Sequence, residues 1–241
     1  MALPELGRCV PAPSVGEGKL KLYKGAYEDK GCTEEDIFGE GKYEWVSGAG
    51  AKRHFSGAGG KTTLEGVTGA KVSCSGSALA GEYTGTKTAS AVLTLTGCAH
   101  SGSKEPCQSA KAPSGEIVTN ALTGTLGFTK DEVTETATSV AVGLDLGGGR
   151  SLLSAECGGQ AEALVLSGSA IGAVAKLDKM SSSFSVKYKA SAGQQEIEAF
   201  EEAPKDTLTA TLGFGAEQAG LTGSQKLAGE EQLEIRAEHT S

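Results

Sequence analysis

Several stretches of this 241-residue chain carry residue types at spacings that chemistry uses. In "VGLDLGGGRSLLSAEC", residues 142–157, Asp145 precedes Gly147 to Gly149 between apolar segments, as in a phosphate loop. "SGAGGKTTLEG", residues 56–66, ends like the G-x-x-x-x-G-K-[ST] nucleotide loop. "SGSK" at 101–104 matches the S-x-x-K of acylating hydrolases, and His54, His100 and His239 are the chain's three histidines. Cys98, His100 and Cys107 offer three zinc-type ligands within ten residues.

None of these meets the needs of its chemistry. A phosphate loop of the first kind belongs between the first two strands of a domain with further phosphate segments downstream; this one starts beyond residue 140 and has no such partners. A strand "SVAVGLDL", a glycine hairpin turn and a return strand "RSLLSAEC" are expected there instead. In the second stretch the first motif glycine is replaced by Phe55, and Gly66 and Gly69 interrupt the helix whose N-terminus would hold phosphate. No serine sits in G-x-S-x-G, and neither S-D-N nor K-T-G follows the S-x-x-K. Three ligands on one loop fall one short of a closed zinc site. Glu28, Asp29, Glu34, Glu35, Asp36, Glu40 and Glu44 crowd around Cys32 without calcium-loop spacing, so a solvated acidic loop is expected. The sequence thus points to no catalytic residue, no metal and no cofactor, and leans away from an enzyme. Trp45, His54 and His100 remain as candidate ligand contacts, and a sugar platform would need Trp45 exposed beside a tyrosine.

The elements around these residues read as strands. There are 36 glycines, about twice the ordinary share, and only two Met, one Trp and one Asn. With abundant Thr, Ser and Val, this composition favours short strands joined by tight turns. Leu122, Gly124, Leu126 and Phe128 alternate with Thr123 and Thr125; Leu208, Ala210, Leu212 and Phe214 alternate with Thr209 and Thr211. Phe184, Val186 and Tyr188 alternate with Ser185 and Lys187, and such period-2 patterns mark strands with one buried face. Only "AGQQEIEAFEEAPK", 192–205, is a helical candidate, with a long acidic loop as the equal alternative.

The patterns also echo one another. "LTGTLGF" at 122–128 returns as "LTATLGF" at 208–214, "SGSA" at 75–78 returns at 167–170, "KTASAVLTLTG" from Lys87 aligns with "KMSSSFSVKYK" from Lys179, and "GGKTTLEG" from Gly59 aligns with "GGRSLLSA" from Gly148. These echoes predict an antiparallel β-sandwich or barrel, residues 49–216, built from two related halves at about 57–128 and 147–214. Residues 1–48 are expected to pack on it as a disulfide-clipped segment carrying the strand "GKYEWV", and 217–241 to add a strand or two before a polar tail.

Charge and cysteines place the chain. A net charge of −8 gives no cationic face for nucleic acid or anionic membrane. No run reaches the roughly 18 apolar residues of a membrane helix. Six cysteines without a CxxC pair favour three disulfides in an oxidising compartment over zinc. Spacing favours Cys9 with Cys32 and Cys98 with Cys107, leaving Cys74 with Cys157, among the 15 possible pairings. The start "MALPELGRCV" lacks a signal peptide, so Met1 is expected either to begin a cytosolic chain or to replace a removed leader.

"ALPELGRCV", "GKYEW" from Gly41, "GEYTGTKT" at 81–88, "LTGC" at 95–98 and "GEIVTNALTGTLGF" at 115–128 together resemble a set of uncharacterised secreted β-rich proteins of deep-branching, Thermoleophilia-like actinobacteria. The resemblance covers most of the chain and implies a secretion signal ahead of "ALPELGRC"; it brings no activity and no site residue. The expectation is therefore a secreted or cell-surface, non-enzymatic envelope β-protein. The alternatives are an extracellular binding module for a cell-wall glycan or small ligand, and a secreted hydrolase with a dispersed site.

Overall fold

The computed structural model describes residues 4–16, 21–133, 138–149, 151–158, 160–197, 199–201, 203–204, 208–212 and 215–237. Its strands longer than three residues are β1 (Glu5–Pro11), β2 (Tyr43–Ser47), β3 (His54–Gly59), β4 (Thr62–Gly66), β5 (Lys71–Cys74), β6 (Gly76–Tyr83), β7 (Thr88–Thr96), β8 (Leu122–Val133), β9 (Thr138–Gly148), β10 (Leu153–Cys157), β11 (Gln160–Ser167), β12 (Ser169–Ala175), β13 (Ser181–Tyr188), β14 (Thr209–Leu212) and β15 (Ala216–Arg236). Among the described residues there is no helix. The helical candidate at 192–205 is instead a pair of tight hairpins as far as it is described. Ala192 (φ 50°) and Gly193 (φ 77°) form the two-residue turn between the short strands Ala190–Ser191 and Gln194–Gln195, and two successive left-handed residues suit a hairpin whose turn matches the strand twist.

Eight strands close into an antiparallel barrel in the order β3, β6, β7, β8, β9, β12, β13 and β15, with β15 returning to β3. Closure leaves no barrel edge unpaired. The ring follows chain order, interrupted by excursions that lay further strands outside it. After β3 the chain leaves for the hairpin β4–β5, which pairs with residues 219–222 of β15. After β9 it leaves for β10–β11, which continues through β14 to residues 216–218 of β15. Strand β1 bridges β2 and residues 234–236 of β15. The C-terminal segment is therefore a wall of the barrel, with 225–229 paired to β3, and not an accessory after it.

Residues 54–96 and 138–188 share one pairing order: a barrel strand, an outer hairpin, then two barrel strands in a hairpin. The Gly59/Gly148, "SGSA" and Lys87/Lys179 echoes fall on corresponding strands. The most obvious echo does not. "LTGTLGF" lies on β8 in the barrel wall, whereas Thr209 to Leu212 of its echo form β14 outside it, paired with β11; Phe214 lies outside the described residues. The wall strand occupying the place of β8 is β15, because each closes its half against the preceding strand β7 or β13.

The expected hairpin at 142–157 is corrected too. β9 pairs with β8 and β12, and β10 pairs with β11, so Gly147 and Gly148 end a wall strand and the chain passes on through Gly149 to the outer sheet. None of the three has a positive φ.

All six cysteines are in disulfides: Cys9–Cys32, Cys74–Cys98 and Cys107–Cys157. The first pairing matches the expectation and the other two do not. Cys107 and Cys157 are direct cross-strand partners. Cys98 continues the antiparallel register in which Ala99 faces Ser73, which puts it opposite Cys74. Cys98 and Cys107 do meet, but through backbone: the Cys107 N–H donates to the Cys98 carbonyl at 2.9 Å. Their side chains go to different strands.

Candidate functional site

The strand alternation fills the lumen with one residue of every two. Phe55, Gly57 and Gly59 point inward from β3, Ser77, Leu79, Gly81 and Tyr83 from β6, Leu144 and Leu146 from β9, and Gln225 and Leu227 from β15, while their neighbours His54, Ser56, Ala58, Ala78, Ala80 and Lys226 are exposed. Small inward residues make room for rings. A Cβ at Gly81 would fall 2.6 Å from the Phe55 ring, and one at Gly172 would fall 2.8 Å from the Tyr188 ring. Phe55 and Tyr83 stack with centroids 4.6 Å apart.

The filling is incomplete. An apolar cavity of about 80 Å³ lies in the lumen, lined by residues that include Leu79, Leu93, Leu144, Leu146, Val186 and Leu227. Its lining reaches from the Thr84–Thr88 turn, where Gly85 and Thr86 are exposed, to the exposed Ser224 at the other end. The turn is anchored as a cover: its Thr86 carbonyl accepts from Leu6 N–H at 2.6 Å and its Lys87 carbonyl from Leu126 N–H at 2.8 Å. Leu6, Phe184, Leu233 and Ile235 pack together beside it and close that end with apolar side chains.

Two polar groups mark the cavity ends. Near the turn, the Tyr83 hydroxyl is buried and has no hydrogen-bond partner among the described residues; burial raises its pKa to about 12, so the phenol is a neutral donor at physiological pH. Six residues along β6, roughly 20 Å at the strand rise, Ser77 faces Gln225. Gln225 Nε2 donates to Ser77 Oγ at 2.6 Å, and Gln225 Oε1 has no partner among the described residues. The two residues flank Gly59 in one row of the wall, and a Cβ on Gly59 would meet both Ser77 Oγ and Gln225 Nε2. The glycine of the nucleotide-like stretch therefore leaves room for the Ser224 backbone carbonyl and for this lumen hydrogen bond. Tyr188 lies in the same half of the lumen, its hydroxyl pKa pushed up by burial and further by the Asp145 carboxylate.

The residues singled out in the sequence lie elsewhere and apart. His54 is on the outer face of β3, exposed, with Nδ1 3.5 Å from Glu230 Oε2. His100 uses Nδ1 to accept from Ser103 N–H at 3.2 Å in an external turn, and His239 lies outside the described residues. Trp45 presents no open face. Its ring rests on Gly7, whose added Cβ would collide with it, and the Arg236 guanidinium covers it at 4.3 Å. Tyr27 is buried against that same guanidinium, so Trp45 and Tyr27 form no exposed pair for a sugar. Cys98 and Cys107 are committed to disulfides, and among the described residues no group of His, Cys, Asp and Glu is arranged for a metal.

In the acidic loop the carboxylates serve turns. Asp29 accepts from the N–H groups of Gly31, Thr33 and Glu34, each at 2.8 Å, and Asp36 from those of Phe38 and Glu40. The backbone donors, Glu34 foremost, lower the Asp29 pKa to about 2. At the tip of this loop Ile37 and Phe38 are 86% and 80% exposed.

No protein-family model, curated protein or solved structure matches this chain. The lumen residues must therefore speak for themselves. Sequence patterning identified Phe184, Val186 and Tyr188 as inward, but Gln225, Ser77 and Tyr83 carried no signal. A lone Gln between Lys and Ser is indistinguishable from a surface residue until the register of β15 is known.

Proposed function

We propose that this protein is an extracellular, non-enzymatic β-barrel that holds a small apolar molecule in its lumen. The observation that carries the reading is the apolar cavity inside a closed barrel. An eight-stranded barrel is just wide enough either to be filled by side chains or to hold one small ligand, and this lumen keeps space despite bulky neighbours. The volume, about 80 Å³, is roughly five to eight water-sized spheres, which suits a slender chain better than a fused ring system. Three disulfides support an oxidising compartment, and secretion is the reading we adopt.

The test is methyl NMR of the protein titrated with n-hexane. Shifts concentrated on Leu79, Leu93, Leu144, Leu146 and Val186 are expected; unchanged lumen methyls, or shifts only at exposed positions, would refute the reading.

A second role is favoured by Ile37 and Phe38, which stand exposed on a loop fixed by Cys9–Cys32 and two aspartate-centred turns. A rigid apolar tip suits attachment to an envelope component. The double variant Ile37→Ser/Phe38→Ser should then lower retention on isolated cell walls without altering thermal stability; equal retention would remove this role.

A further inference from the structure

The two ends of the lumen cavity are closed in different ways. At the Ser224 end the wall is extended by a ladder: residues 219–222 of β15 pair with β4, β4 pairs with β5, and Cys74–Cys98 pins that hairpin to the chain after β7. A path there has to break several rungs. At the opposite end the cavity meets the tip of the β6–β7 hairpin. Gly85, Thr86, Lys87 and Thr88 line it in succession while Gly85 and Thr86 are exposed, so one thickness of chain separates lumen from solvent.

Among the described residues, two backbone bonds from outside the tip hold it down: Leu6 N–H donates to the Thr86 carbonyl at 2.6 Å and Leu126 N–H to the Lys87 carbonyl at 2.8 Å. The bonds from the Thr84 and Gly85 N–H groups to the Thr88 carbonyl lie within the tip and travel with it. Leu6 belongs to β1, which is outside the eight-stranded ring and is held by β2 and residues 234–236 of β15. Its side chain is 2% exposed and lines the cavity. Lifting the tip thus costs the ring one rung, Leu126 to Lys87, and local opening is cheapest where few bonds hold a segment.

We propose that the Thr84–Thr88 turn is the portal of the lumen and Leu6 its latch, the N–H holding the turn shut and the side chain filling the space behind it. This rests on the lumen reading above and deepens it by assigning the route a ligand takes. Leu6, Leu126 and Ile235 line the cavity at this end, so a hydrocarbon passes them without desolvating a polar group.

The experiment measures n-hexane dissociation from the full chain by methyl exchange NMR, together with amide hydrogen exchange. Leu6→Ala keeps the N–H and removes the plug, and should raise the dissociation rate roughly tenfold. Leu221→Ala, the same truncation in the lining of the other end, should change it less than about twofold. In the wild type the Leu6 and Leu126 amides should exchange through one shared opening, roughly tenfold faster than those of Leu64 and Val72 in the β4–β5 ladder. Equal acceleration by both variants, or acceleration by Leu221→Ala alone, overturns the portal and leaves the lumen reading standing. Exchange of Leu6 and Leu126 only through global unfolding overturns it too, and this arm needs no variant, so it decides the matter if Leu6→Ala fails to fold. If hexane does not bind the wild type, the lumen reading fails and the portal with it.

Discussion

Gln225 and Ser77 are 148 residues apart in the chain, and their side chains meet inside the barrel at 2.6 Å across a strand that contributes only Gly59 between them. The bond ties the last wall strand to the second across the first, so it depends on closure of the ring. Ser77→Ala should leave the buried amide with no partner among the described residues and destabilise by about 1–3 kcal/mol in urea unfolding, and Gly59→Ala should destabilise as well by colliding with the Ser224 backbone carbonyl and with both side chains. Combining Ser77→Ala with Gln225→Leu should recover most of the loss. Strict additivity of the two single effects would contradict the coupling.

The cavity itself is open to a packing test. Ala91 is buried and lines the lumen. Adding three carbons to a fully packed core costs about 1–3 kcal/mol. In this lumen Ala91→Leu is expected to change stability by less than about 1 kcal/mol while abolishing hexane binding. A loss in the full overpacking range would mean that the space is already filled.

Non-reducing peptide mapping is expected to recover Cys74 linked to Cys98 and Cys107 linked to Cys157. In the chain-entropy view the 50-residue separation of Cys107–Cys157 contributes about 4 kcal/mol, and the 24-residue separation of Cys74–Cys98 about 3.5 kcal/mol. Paired Cys→Ala variants measured by denaturant midpoint should each approach those losses. A peptide linking Cys98 to Cys107 would overturn the outer-sheet register.

Alkaline pH should report the buried phenol. The Tyr83 hydroxyl has its pKa raised by burial to about 12, against 10 in the unfolded chain. Stability from keeping it neutral is whole below pH 10 and is lost as the pH climbs through 12, because the unfolded chain releases that proton first. Unfolding midpoints between pH 9 and 12 should therefore fall less steeply for Tyr83→Phe than for the wild type. Tyr188, shifted in the same direction, keeps some slope in the variant. Parallel curves would place the Tyr83 hydroxyl in contact with solvent.

Much of the architecture is written locally. Alternation at Leu122 to Phe128 and Phe184 to Tyr188 records which side of a strand is buried, since the pleat sends successive side chains to opposite faces. The absence of helix after Lys61 follows from Gly66 and Gly69. Other features have no local cause. Gly147 to Gly149 look like a hairpin turn because a glycine run between apolar segments usually is one; only the partners of β9 and β10 show a passage from wall to outer sheet. The same applies to "LTATLGF", whose strand pattern is right and whose place in the sheet is not that of its echo.

The sequence by itself determined an all-β chain with its cysteines in disulfides, because residue type and period act over a few residues. Tertiary structure alone decided which cysteines face one another, that the sheet closes into a ring, and that Gln225, Ser77 and Tyr83 look into a lumen. Register is a long-range property: it is fixed by the packing of strands far apart in the chain, and one residue of slip sends every side chain to the other face.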